Sequence, residues 1–553
     1  MNKIICGIFC TFFIYNVNFA YAGQLPNIQQ EQQMISRERD SEREQALHQR
    51  DELQDHANMS EDMLPEEKIA FQIDNISIEG SDEHRFQFLD KIARKYEGNK
   101  IGVRGLQVIV KKLENALLEK GFVTSHISVL PQNLSDGNLK FLLVKGYVDN
   151  INFVGNADNL SYQQAFPVRN GDVLNLRSLE QGLEQLARMN SINAKVELLP
   201  GGSLGKSIVN IKVEQKRNIH GMITLDDGGN KSTGKILGGL YCTVDSFSGR
   251  DDIFTAYFSN DVMNGRADKR NNAGYGFSWN IPDGYASYSI SYRDGSYDNP
   301  LYVLGNTFMY SGNSNVVSIN ASRVIERSRS TKTSVHIGME TRRSHNYLEN
   351  VELSNQRRST AAVAAGVVHR AYHGDDMWNI SAFYKRGVPW FNPQHDAGKR
   401  TSRYNLCSLG IDYRHPFMLF KQKSRYTMSF YGQYTDDYLY AVDGMSIGNR
   451  YTVRGFDGEN TLLGDSGYYI RNEVAIELGS LPVELYAAMD YGKVFGKNTI
   501  AYNSCDLFGT AVGLRGKVGR KAYWEAFVSW ALKKPADMPN GKQVYGFKYM
   551  MEL

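Results

Sequence analysis

Hydrophobic positions follow two rhythms up to about residue 216 and one rhythm after it. FQIDNISIEG, starting at Phe71, alternates as a half-buried strand does. Phe86, Leu89 and Ile92 then recur at helical spacing. Leu106, Ile109, Val110, Leu113 and Leu117 mark the apolar face of a second helix, and Gly121 stops it. HISVLPQN and LKFLLVKG read as strands, giving the order β-α-α-β-β. The order then repeats. VDNINFVGN is a strand, Tyr162 to Phe166 and Leu176, Leu179, Leu183 and Leu186 are helical, and AKVELLPGGSLGKSIVNIKVEQ is a hairpin turning at Pro200-Gly201-Gly202. Two copies of one unit of roughly 70 residues form an internal repeat.

Past Arg217 only the period of two remains. Tyr275, Phe277, Trp279 and Ile281 share one parity, with Gly276, Ser278 and Asn280 on the other. After the turn Pro282-Asp283-Gly284, Ala286, Tyr288, Ile290 and Tyr292 alternate with Ser287, Ser289, Ser291 and Arg293. Tyr426, Met428, Phe430 and Tyr434 repeat the pattern, as do Trp524, Ala526, Val528 and Trp530. A soluble antiparallel sheet also alternates. Long aromatic strands with no helix between them instead predict a membrane barrel with a wet lumen, of roughly 16 strands.

Ahead of both regions lies a stretch with neither rhythm. Residues 23–68 are rich in Gln, Glu and Arg, and EQQMISRERDSEREQALHQRDELQDHANMSEDM has few apolar positions. Glu and Arg at i, i+4 spacing support a helix. Because it is polar all round, it is either a solvated tail or a helix lodged in a wet cavity. Residues 1–22 read as a secretory signal peptide: a positive start at Lys3, an apolar run from Ile4 to Phe19, and the cleavage pattern Ala20-Tyr21-Ala22. No later apolar run reaches the roughly 18 residues of a membrane helix.

Composition narrows the chemistry further. A net charge of +3 over 553 residues leaves no basic footprint for nucleic acid. Tyr and Gly (33 and 51 residues) with only 13 Pro suit strands and turns. Cys242, Cys407 and Cys505 follow the signal, too far apart for a metal or redox pair. Gly201-Gly202-Ser203-Leu204-Gly205 fits G-x-S-x-G, but it lies in a hairpin and not between strand and helix. Gly205-Lys206-Ser207 lacks the upstream glycine of a phosphate loop. Neither an enzyme nor a cofactor or metal site is expected.

Two stretches carry a resemblance to a known family. LPQNLSDGNLKFLLVKGYVDNINFVGN contains Pro131, Gln132, Leu134, Gly137 and Leu139 as P-Q-x-L-x-x-G-x-L, one residue shorter at its start than the family signature P-x-Q-x-L-x-x-G-x-L. NRYTVRGFDGE contains Val453, Arg454, Gly455 and Phe456, and further on Asp490 and Gly492 stand in AMDYG. Here Ala488 departs from the Phe or Gly usual at its position. Together these resemble the transporters of two-partner secretion, of the haemolysin-activator and filamentous-haemagglutinin-transporter type within the Omp85 superfamily.

The resemblance implies the following organisation: a signal peptide at 1–22, a plug helix and linker at 23–68, POTRA domains at 69–146 and 147–216, and a barrel at 217–553 whose loop around 443–467 folds inward. It implies an outer-membrane location in a Gram-negative bacterium, with the POTRA domains in the periplasm. Arg454 would pair with Asp490 to latch the loop. The partners implied are one large unfolded exoprotein with an N-terminal secretion domain, outer-membrane lipid, and the barrel-assembly machinery. The cargo would be a haemolysin, an adhesin or a contact-dependent toxin. An insertase of the same superfamily is the alternative, though it would normally carry more POTRA repeats and no plug. A passive porin would lack the repeats.

Overall fold

The computed structural model describes residues 26–48 and 63–553, apart from 156–161, 264–269, 304, 392, 395, 397, 480, 501, 537 and 540–542. The signal-peptide reading lies outside these residues. Sixteen antiparallel strands close into a barrel, from Ile219–Asp226 to Val544–Glu552, and these two pair to complete it. The pair Val351–Glu352 only extends one edge of Thr331–Leu348. Strand length runs from 8 to 22 residues. Parity behaves as the alternation predicts. Tyr275, Phe277, Tyr288 and Ile290 point outward and are exposed, while Arg293, Gly295 and Tyr297 line the interior. The closing ladder is the shortest, joining only Met222–Asp226 to Lys548–Glu552.

Before the barrel come two α+β units with separate dry cores. In the first, helix Val103–Glu119 packs Ile109, Leu113 and Leu117 onto the sheet, against Phe86, Leu89, Leu139 and Phe141. Gly121 ends this helix with φ +89, where only glycine is unstrained. Two details differ from the sequence pattern. The first apolar run breaks at Asp74 into Phe71–Ile73 and Asn75–Glu79, because the N–H groups of Asp74 and Asn75 turn to the Gly137 carbonyl. A short strand, Asn99–Ile101, then pairs with Phe71–Ile73, giving β-β-α-β-α-β-β. Three residues are too few to show a period. HISVLPQN also leaves the sheet early, at Ser128.

In the second unit, strand Tyr147–Gly155 pairs in parallel with Lys206–Gln215, which also pairs with Ile192–Pro200. Helix Leu176–Ala187 buries Leu179 and Leu186 against them, and the Asn175 side chain caps it by accepting from the Arg177 N–H at 2.8 Å. Its other face carries Gln181, Glu184 and Gln185, all buried against the barrel rim. Arg327 donates to Glu184 at 2.5 Å, Lys332 pairs with the same carboxylate, and the Gly284 N–H donates to the Gln164 carbonyl at 2.8 Å. This unit therefore sits on the barrel's short turns through buried charge.

The N-terminal helix Pro26–His48 runs through the lumen. Gln32 donates to the carbonyls of Ala441, Val442 and Gly444, Arg37 pairs with Asp226 at 2.6 Å, and Asp40 pairs with Arg471 at 2.5 Å. A polar interior thus gives a helix without an apolar stripe somewhere to sit.

Candidate functional site

The site is built where one long loop re-enters the barrel. Residues 435–465 join the strands Gln422–Tyr434 and Ser466–Glu477. A small hairpin, Met445–Ile447 with Leu462–Gly464, stiffens the loop base. At the tip, Val453 and Phe456 are almost fully buried, packed with Ile447, Val494 and Leu507. The apolar residues set the tip against the wall, and the arginine between them is delivered to it.

Arg454 reaches strand Val483–Phe495, where Asp490 is fully buried. Its Nε donates to Asp490 Oδ2 at 2.7 Å, and Nη2 donates to Oδ1 at 2.8 Å. The Arg454 backbone N–H adds a third bond to Oδ2 at 3.0 Å. This side-on fork uses the planar geometry of guanidinium. The remaining amine, Nη1, donates to Glu473 at 2.7 Å. A charge ladder continues down the wall: Arg515 joins Glu473 at 2.8 Å and Glu484 at 2.8 Å, and Arg425 joins Glu484 at 2.9 Å.

Backbone approach fixes the rest of the geometry. Gly455 has φ +103 and lies against the Trp530 carbonyl, where a Cβ would come within 2.4 Å. A Cβ on Gly509 would stand 1.8 Å from the Arg454 carbonyl oxygen, and one on Gly492 would stand 2.8 Å from the Val453 side chain. The structure thus brings Val453, Arg454, Gly455, Phe456, Asp490 and Gly492 into one contact. Sequence reasoning missed Glu473, Arg515, Glu484, Arg425 and Gly509. Inward parity on their strands was the only available signal, and many inward residues share it.

A second charged node ties the loop to the N-terminal helix. Asp226 ends the first barrel strand and Asp227 follows it. Asp226 takes Arg37 of the helix, and Asp227 takes Arg450 of the loop at 2.8 Å. The same Asp227 oxygen accepts the Phe547 N–H of the last strand at 2.8 Å. Arg471 donates both to Asp40 and to the Tyr451 carbonyl.

The residues Pro131, Gln132, Leu134, Gly137 and Leu139 lie far from this contact, in the first α+β unit. The Gln132 side chain donates to the Lys140 carbonyl at 2.7 Å and accepts the Lys140 N–H at 2.8 Å, standing in for a missing strand partner. Gly137 turns with φ +77, Leu139 is buried in the core, Leu134 packs on it, and Pro131 is exposed. Nearby, Lys145 and Arg85 hold the Glu83 carboxyl below the usual range.

Residues 205–516 match the family described as haemolysin secretion/activation protein ShlB/FhaC/HecB. The chain belongs to that family. Residues 71–146 match a ShlB-type POTRA domain and 147–200 a second POTRA domain. The outer membrane transporter CdiB-2 of Burkholderia pseudomallei is 31% identical over 88% of this chain and 87% of its own length. CdiB from Acinetobacter baumannii superposes with a TM-score of 0.83 and 29% identity, covering 96% of this chain and all of that one. CdiB from Escherichia coli has the same fold, with a TM-score of 0.85 and 22% identity over 96% of this chain and all of that one. This protein is an outer-membrane transporter of two-partner secretion with its POTRA domains in the periplasm, and its named relatives favour transport over the insertase alternative. It serves a secreted exoprotein partner.

Proposed function

We propose that the resting transporter is a latched loop beside a removable plug. Its cargo is one large unfolded exoprotein with an N-terminal secretion domain, of the haemolysin, adhesin or contact-dependent toxin class. The observation that carries this reading is the contrast inside the lumen: the helix is held mostly by dispersed polar contacts, with Leu47 buried near its end and Met34 against Gly295, whereas the loop tip combines a dense apolar anchor with the Arg454–Asp490 fork. The helix leaves when cargo engages, and the loop stays.

The POTRA sheets receive the cargo in extended form. Ile192–Pro200 lies at a sheet edge, where backbone pairing makes little demand on sequence. Residues Pro131 to Leu139 shape the first POTRA domain, with Gln132 stapling the loop before Asn138–Val144. Outer-membrane lipid surrounds the outward aromatic residues, and barrel-assembly machinery inserts the chain. Folding of cargo outside the cell gives transport its direction, without a cofactor, catalytic chemistry or nucleic acid.

A secretion assay with the cognate exoprotein tests the reading, with barrel folding checked by heat-modifiability. Arg454→Ala and Asp490→Ala should each abolish secretion while the barrel still folds, and the double variant should lose no more. Normal secretion in both single variants would remove the latch from the mechanism.

A further inference from the structure

Two hollows on the outside of the protein meet at one residue. The first lies on the lipid-facing wall and encloses about 630 Å³. A single ladder row crosses it: Tyr288 opposite Ala321, Ala321 opposite Ile337, Ile337 opposite Ala365, and Ala365 opposite Tyr384. The two alanines make the depression, and the tyrosine rings bound it. The second hollow, of about 850 Å³, lies between POTRA 2 and the barrel rim. Phe153, Phe166 and Val168 form its apolar wall, and Arg169 and Arg323 stand at its polar side. Tyr288 lines both hollows.

We propose that a zwitterionic glycerophospholipid of the periplasmic leaflet occupies this continuous cleft and joins POTRA 2 to the wall. Arg323 is exposed two residues beyond Ala321 on the same outward face, while Arg169 gives its backbone N–H to the Asp172 carboxylate at 2.8 Å. Guanidinium groups at an apolar mouth suit a phosphodiester. Asp172 and Asp283 line the same hollow and complement an ammonium headgroup. One acyl chain passes Tyr288 into the alanine-floored depression. A cargo segment fits the wall hollow poorly. The strands that form it are paired on both edges, so they offer no backbone partner, and an acyl chain needs none.

The test uses the full chain purified in mild detergent, supplied with dioleoyl phosphatidylethanolamine and weighed by native mass spectrometry. Wild type and the control Val512→Trp, on another part of the lipid-facing wall, should each retain one lipid. Ala321→Trp, which fills the hollow, and Arg323→Glu, which reverses the charge, should each reduce retention at least tenfold. Heat-modifiability reports folding, and Arg323→Glu carries the test if the tryptophan variant fails to fold. Equal retention in all folded variants would overturn the proposal. So would crosslinking of a secretion-domain peptide, with no lipid retained, to a photoreactive residue replacing Tyr288.

Discussion

The pore loop and the plug helix share one lumen and are held there by different physics. The loop tip buries Val453 and Phe456, and it satisfies Arg454 with Asp490 and Glu473 at one point. The helix spreads its contacts along its length, through Gln29, Gln30, Gln32, Arg37, Glu38 and Asp40, and none of these is an apolar anchor. Pulling the loop out would strand a fully buried carboxylate. The helix can be withdrawn with water replacing each partner in turn, so its many bonds need not add up to a barrier. Polar contacts lining a wet channel confer position more than permanence.

The largest effect is expected at the fork. Arg454→Ala leaves Asp490 buried without its partner, a change of a kind that costs about 3–5 kcal/mol. Secretion should fall at least a hundredfold in the exoprotein assay, and Arg454→Lys should recover only a small part, since an ammonium cannot make the paired bonds. Gly509→Val attacks the same latch through the backbone. Its Cβ has no room beside the Arg454 carbonyl, so the tip must lift. Secretion should fall about as far, and limited proteolysis should now cut within 435–465.

Weakening the helix should do the opposite. Arg37→Gln with Asp40→Asn removes two of its ion pairs. Planar-bilayer recordings should show the open pore several times more often, with the wild type approaching this behaviour at high salt as its pairs are screened. Secretion should persist.

The smallest effect concerns how POTRA 2 sits on the barrel. Asp251, in a short periplasmic turn, accepts the Ala165 N–H at 3.1 Å. Burial, together with the neighbouring Asp252, pushes its carboxyl up to about 7, against the hydrogen bond from Ala165. A raised value means that docking is favoured by the protonated form. That contribution is complete at pH below the ordinary carboxylate value and is lost as pH rises through about 7. Hydrogen exchange at 162–165, corrected for its intrinsic pH dependence, should therefore speed up between pH 6 and 8. Asp251→Asn should flatten this change.

The barrel was legible because period-two alternation is a direct imprint of lipid on one side and water on the other. Tyr275 to Ile281 and Tyr288 to Tyr292 show it without any help from tertiary structure. The α+β units were legible from their longer helices, but Asn99–Ile101 was not, since its pairing with Phe71–Ile73 is decided by the fold around it. The two residues of the fork could be singled out only because a known family carries the same short motifs. Glu473, Arg515 and Glu484 belong to the same charge network, but each is one inward residue on an ordinary strand. Gly509 was hidden for another reason: its importance is the space it leaves for a chain segment more than fifty positions away.

The most direct test of a fixed loop beside a movable helix is a pair of distances in one protein. With Cys242, Cys407 and Cys505 replaced, spin labels placed at Thr307 and Ser41 would follow the helix, and labels at Thr307 and Asn460 would follow the loop. Each pair would be measured by double electron–electron resonance before and after the exoprotein's secretion domain is added. The Thr307–Ser41 distribution should broaden and shift to longer distance, while the Thr307–Asn460 distribution stays where it was. A shift of the loop distance with the helix unmoved would contradict the account.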